Sequence, residues 1–106
     1  MTFDPSRLDL NLLRVFDALS GEHKVVAAAA RRKLSPPAVS NALARLRRAT
    51  GDELFTRVPG GMQPTAYAQA IAPAINQALV AIDDALTARA PFAAARSARA
   101  FRIAMT

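Results

Sequence analysis

Leu34-Ser35-Pro36-Pro37-Ala38-Val39-Ser40-Asn41-Ala42-Leu43 is the stretch that decides how this chain reads. Ser35 is an N-cap residue, and Pro36 is pre-organised for the first helical position, where its missing donor costs nothing. Pro37 also lacks an N–H, so the Ser35 hydroxyl is expected to accept the amide of Ala38. On a helical wheel Val39, Leu43 and Leu46 point one way, into a core. Pro37, Asn41, Ala44 and Arg48 point the opposite way, with Ser40 and Arg45 on the flanks. The outward face is small near its start and cationic towards its end.

That helix sits in a positive field. Between Lys24 and Arg48 the chain carries seven basic residues and no acidic one. A duplex offers one negative charge roughly every 1.7 Å along its axis. A short basic helix without bulky outward apolar groups fits its major groove. The helix start, Ser35, Pro36 and Pro37, would enter the groove, with Ser40 and Asn41 meeting bases. An Asn amide can pair with adenine in two-point fashion. Lys24, Arg31, Arg45 and Arg48 would reach phosphates. The bland alternatives are exposed polar residues at Ser40 and Asn41, and a solvated, dipole-matched terminus at Arg31, Arg32 and Lys33.

Upstream, Asp9 is a helix cap, and Leu10, Leu13, Phe16 and Leu19 repeat at helical spacing, with Leu12 and Val15 beside them. Arg14 and Asp17 fall on the outer side. Ser20-Gly21 is expected to end this helix, Gly21 taking a left-handed position. Lys24 to Lys33 reads as a shorter second helix, whose Ala27, Ala28 and Ala29 admit close approach by a neighbour. Downstream, Thr50-Gly51-Asp52 closes the central helix. Leu54 to Val58 and Met62 to Pro64 are candidate strands around a Pro59-Gly60-Gly61 turn, a wing rather than an irregular loop.

Thr65 caps a helix reaching to about Arg89, roughly 37 Å at 1.5 Å per residue. Ile71, Ile75, Leu79, Ile82 and Leu86 form a near-heptad stripe on it, suited to a partner helix, with Pro73 bending the helix in its first third. The alternative is a helix folded back on its own domain. Residues 90–106 read as a linker, and Ala100 to Met105 alternates like the opening strand of a further domain.

With 106 residues, 52% hydrophobic and 6% aromatic, the chain makes one small helical domain with an attached arm. The charge of +6 favours an anionic partner. No cysteine and one histidine, His23, argue against a metal site. Residues 1–7 lack the apolar run of a signal peptide and no stretch approaches a membrane span, so a cytoplasmic, nucleoid-associated protein is expected. Enzyme chemistry is the weakest reading. Asp83 and Asp84 diverge by roughly 100° on a helix, His23 has no evident partner, and Gly60-Gly61 lacks the Lys-Ser/Thr of a phosphate loop.

Several motifs in order resemble the N-terminal part of the LysR-type transcriptional regulators. They are Leu8-Asp9-Leu10-Asn11-Leu12-Leu13, Ser35 through Leu46, Gly51-Asp52-Glu53-Leu54-Phe55-Thr56-Arg57, Gly61-Met62-Gln63-Pro64-Thr65, and Phe101-Arg102-Ile103-Ala104. The resemblance covers nearly the whole chain. It implies a mainly α fold, a winged helix-turn-helix joined to a long dimerisation helix. The corresponding division is 1–64 for DNA binding (helix-turn-helix about 25–44), 65–90 for the linker helix, and 91–106 for a hinge and the start of an effector domain. It further implies dimers or tetramers, an interrupted palindrome, and a small-molecule co-inducer bound outside this segment. No cofactor is implied. Pro37 and Ser40 match the family's residues. Pro36 stands where members commonly have Gln, removing a base-reading amide. Arg32 stands where a buried leucine is usual, its stem expected over the core with its head outwards. Gly60 replaces a frequently basic residue at the wing tip, while Arg57 is kept for the backbone.

Two functions therefore stand side by side. The first is a sequence-specific DNA-binding fragment of a transcriptional regulator, binding as a dimer. The second is a non-specific architectural DNA binder with the same charge. A third reading is a protein-interaction module or a membrane-surface helix built on the stripe. Lipid binding is disfavoured, because the polar side of the stripe carries Asp83 and Asp84 instead of cations.

Overall fold

Asp9 opens α1 (Leu10–Glu22) by accepting the Leu12 amide on Oδ1 at 2.9 Å. The structure is a computed structural model and describes residues 8–87. After α1 come α2 (Val25–Arg32), α3 (Pro36–Thr50), β1 (Phe55–Val58), β2 (Gly61–Pro64) and α4 (Ala66–Thr87). The fold is the expected mainly α winged helix-turn-helix. The last residues of the anticipated long helix, and everything read from 90–106, lie outside the described residues.

The central helix forms for the reasons its residues give. Ser35 Oγ accepts the Ala38 amide at 3.2 Å, and Gly51 ends α3 in the left-handed region with φ 77°. Val39, Leu43 and Leu46 are buried. α1 departs from expectation at two points. Gly21 stays helical, and His23 takes the left-handed cap with φ 61°, its amide donating to the Leu19 carbonyl. The buried side of α1 is Leu12, Val15, Phe16, Ala18 and Leu19, while Leu10 is exposed and Leu13 half-buried. The apolar run is wider than one helical stripe, so spacing alone did not tell which of its edges faces inward.

The wing is a two-residue hairpin. β1 and β2 pair antiparallel, Phe55 opposite Pro64 and Val58 opposite Gly61, leaving Pro59-Gly60 as the turn. Its root is held by Asp52, whose Oδ2 accepts the Leu54 amide at 2.8 Å and the Thr65 hydroxyl at 2.7 Å. The Thr65 amide donates to the Leu54 carbonyl at 2.9 Å, and Thr65 Oγ1 accepts the Ala68 amide at 3.1 Å. These bonds hold buried Leu54 at φ 65°, which is costly for a residue with a Cβ. Phe55 reaches Phe16 in the core, ring centroids 5.5 Å apart and tilted by 53°.

α4 continues through Pro73. The chain divides into two compact units after Asn76, so the first half of α4 belongs with the helix-turn-helix. Within that first unit Ile71 and Ile75 pack against the core cluster of α1, α3 and the wing root. Two members of the stripe expected to meet a partner helix, Ile71 and Ile75, are thus half-buried against the domain's own core. In the second unit Leu79 is buried, Ile82 is half-buried and Leu86 is 76% exposed. Among the described residues, no helix is long and apolar enough to cross a membrane.

Candidate nucleic-acid interface

The start of α3 is an exposed nose with almost no free donors. Ser35, Pro36, Pro37, Ser40 and Asn41 are all exposed. Pro36 and Pro37 have no N–H. The next two amides are satisfied, Ala38 by Ser35 Oγ and Val39 by the Ser35 carbonyl at 3.2 Å. Such a tip cannot cradle a phosphate with backbone amides in the manner of many helix N-termini. It presents apolar ring surface, followed one turn later by the hydroxyl of Ser40 and the amide of Asn41.

The cations around this nose fall into two classes. Lys24, Lys33, Arg48 and Arg57 are exposed and, among the described residues, have no carboxylate partner. Arg31 is engaged. Its guanidinium lies 3.4 Å from Asp17 and 3.6 Å from Glu22, and Asp17 also accepts from Asn76 Nδ2 at 3.1 Å. Asp17, expected on the outer side, is instead the hub joining α1, α2 and the middle of α4, its side chain 17% exposed. Arg45 sits between the classes, 3.8 Å from Asp9 with both side chains more than half exposed. A pair that long and that exposed yields readily to a competing anion.

Arg47 is the basic residue most absorbed into the fold. Its Nε donates to the Glu53 carbonyl at 2.8 Å, a second nitrogen donates to the Phe55 carbonyl at 2.5 Å, and Glu53 Oε1 lies 3.5 Å away. It clamps the end of α3 to the start of the wing.

The wing is docked by one backbone bond. The Met62 amide donates to the His23 carbonyl at 2.7 Å. Gly61, with φ 158°, lies so close that an added Cβ would stand 2.4 Å from the His23 oxygen. Glycine is required there by lack of space. His23, read from sequence as a surface residue, thus orients the wing beside α3 through its main chain. Neither this contact nor the roles of Asp17, Arg47 and Asp52 was found by reading residue types. The one available signal was a glycine pair beyond what a two-residue turn needs.

Two hollows flank α3. On the Asn41 side a cavity of about 380 Å³ includes Asp9, Asn11, Arg32, Asn41 and Arg45 in its wall. On the Ser40 side a smaller one of about 160 Å³ brings together Ser40, Arg47 and Arg57. The helix therefore stands between two cationic recesses. Among the described residues there is no grouping of side chains able to hold a metal ion.

Residues 10–69 match the family described as bacterial regulatory helix-turn-helix protein, lysR family. Nodulation protein D 2 of Rhizobium meliloti (strain 1021) is 50% identical over 99 residues, which make up 93% of this chain and 32% of that protein. The crystal structure of a probable transcriptional regulator from Pseudomonas aeruginosa is similar with TM-score 0.77 and 45% identity, over 88% of this chain and 31% of the other. A complex of the BenM DBD with catB site 1 DNA shares the fold, with TM-score 0.71 and 21% identity over 76% of this chain and 90% of that one. The chain spans about a third of the length of the curated relatives it matches.

Proposed function

Because the chain belongs to the lysR family of bacterial regulatory helix-turn-helix proteins, we propose that it reads an interrupted palindrome in double-stranded DNA as a homodimer. The α3 nose lies in the major groove in this reading. The chain is the DNA-binding part of a transcriptional regulator, not an enzyme. The observation that carries the finer reading is the exposed set Ser35, Pro36, Pro37, Ser40 and Asn41, polar at one turn and poor in backbone donors at its tip, near cations that have no carboxylate partner among the described residues.

Each part has a distinct task. Asn41 and Ser40 read base edges. Pro36 and Pro37 press apolar surface on the groove floor, where the thymine methyl is the complementary group. Lys24, Arg48 and Arg57 hold phosphates, which position the domain without reading sequence. Arg31 contributes little charge outwards, being committed to Asp17 and Glu22. Residues 1–64 bind, 65–90 link and pair, and 91–106 lead on. Pairing rests on the far part of α4, where Ile82 is half-buried and Leu86 exposed. Ile71 and Ile75 are half-buried against the domain's own core. A co-inducer, and any tetramer, belong to sequence beyond this chain.

The test is selection of bound fragments from random DNA. Two half-sites rich in thymine under the helix nose, centred a whole number of turns apart, are the expected result. With about four phosphates neutralised per subunit, log K should fall against log salt with a slope near −7 per dimer. Binding without any enriched sequence would instead make the chain an architectural DNA binder.

A further inference from the structure

The hollow on the Asn41 side of α3 has an unusual wall. Leu12 and Val15 are buried within it, whereas Asn11, Asn41 and Arg45 are exposed. Arg32 lies between these extremes, half-buried, and among the described residues it has no carboxylate partner. Arg32 adds a positive charge to a recess whose inner wall is apolar.

We propose that this recess seats one backbone phosphate of bound DNA, held jointly by Arg32 and Arg45 with the Asn11 amide beside them. The proposal rests on the reading of α3 as the groove-entering helix. A helix in the major groove has a sugar-phosphate strand on each side. Here each flank of α3 offers a recess bearing guanidinium groups, Arg57 on the Ser40 side and Arg32 with Arg45 on the other.

The chemistry favours a phosphate oxygen pair as occupant. A guanidinium is a planar fork whose parallel N–H groups match two phosphate oxygens. The aliphatic stem of Arg32 can lie along Leu12 and Val15 while its head faces the opening. Partial burial also weakens salt screening relative to a fully exposed arginine. Asp9 is the resident competitor, its Oδ2 lying 3.8 Å from Arg45 while Oδ1 caps α1. DNA binding then exchanges a long carboxylate contact for a phosphate, and Arg45 leaves Asp9.

The experiment uses the whole chain and sheared genomic DNA, which reports phosphate contacts irrespective of sequence. Arg32→Leu, Arg32→Lys and Arg48→Ala are compared by salt titration of binding and by thermal unfolding. Arg32→Leu is expected to keep Tm at or above that of the unaltered chain, because an aliphatic group still covers Leu12 and Val15. It is also expected to flatten the slope of log K against log salt by about 0.9 per subunit. Arg32→Lys should restore most of that slope. Asp9→Asn, which keeps a helix cap but removes the competing charge, should bind more tightly than the unaltered chain. If Arg32→Leu keeps the full slope while Arg48→Ala loses its share, Arg32 holds no phosphate and the proposal is overturned. If the unaltered chain itself shows no binding at low salt, the DNA reading fails first and takes this proposal with it.

Discussion

Arg47 and Arg48 are neighbours in the chain and opposites in the fold. Arg47 is tied to the carbonyls of Glu53 and Phe55, so its charge serves the joint between α3 and the wing. Arg48 is exposed and, among the described residues, without a carboxylate partner. The same contrast runs along the whole helix. Its inner face carries Val39, Leu43 and Leu46 into the core, and its outer face carries Pro37, Asn41 and Arg48 to solvent. One face makes the fold and the other is left for a partner. A count of seven basic residues between Lys24 and Arg48 therefore overstates the positive surface, since Arg31 and Arg47 are engaged within the domain.

Substitutions on the two faces should separate stability from binding. Leu46→Ala opens a cavity in the core and should cost about 2–5 kcal/mol in urea unfolding. Any loss of binding should follow the lost fold and be recovered at temperatures where the variant is still folded. Gly61→Ala sets a Cβ against the His23 oxygen and should cost about 1–3 kcal/mol, the range for backbone strain. That loss would come with freer exchange of the Met62 amide, read by hydrogen exchange. Arg47→Met keeps the stem and removes two charged donors, which should cost about 1–3 kcal/mol for the carbonyls left without them. Its salt slope should stay close to that of the unaltered chain. Arg48→Ala should change stability by less than about 0.5 kcal/mol. It should weaken binding to every sequence alike, with the slope reduced by about 0.9 per subunit. If Arg47→Met flattened the slope as much as Arg48→Ala, the division between the two arginines would break down.

The sequence was most legible where structure is set by nearest neighbours. Ser35 with two prolines, Gly51 after Thr50, and Thr65 before the apolar run of α4 each act within one helical turn, and each is found as read. The inward set Val39, Leu43 and Leu46 was legible because 3.6-residue spacing leaves one answer on a short helix. Long-range pairings were not legible. Asp17 meets Asn76 across 59 positions, and the wing meets the α1–α2 turn through a carbonyl oxygen that every residue possesses. Gly21 was the natural choice for a helix stop, yet His23 takes that conformation, and its carbonyl accepts the Met62 amide of the wing. The stripe on α4 was visible, but periodicity could not tell which of its members the domain would claim for itself.

The central claim is that the outer face of α3 reads bases. Its most direct test compares the sites selected from random DNA by this chain and by its Asn41→Ala variant. The unaltered chain should enrich paired half-sites, and the variant should lose its preference at one base pair in each, worth about 1–3 kcal/mol, while keeping the rest. Identical motifs from both proteins, or no motif from the unaltered chain, would contradict the claim.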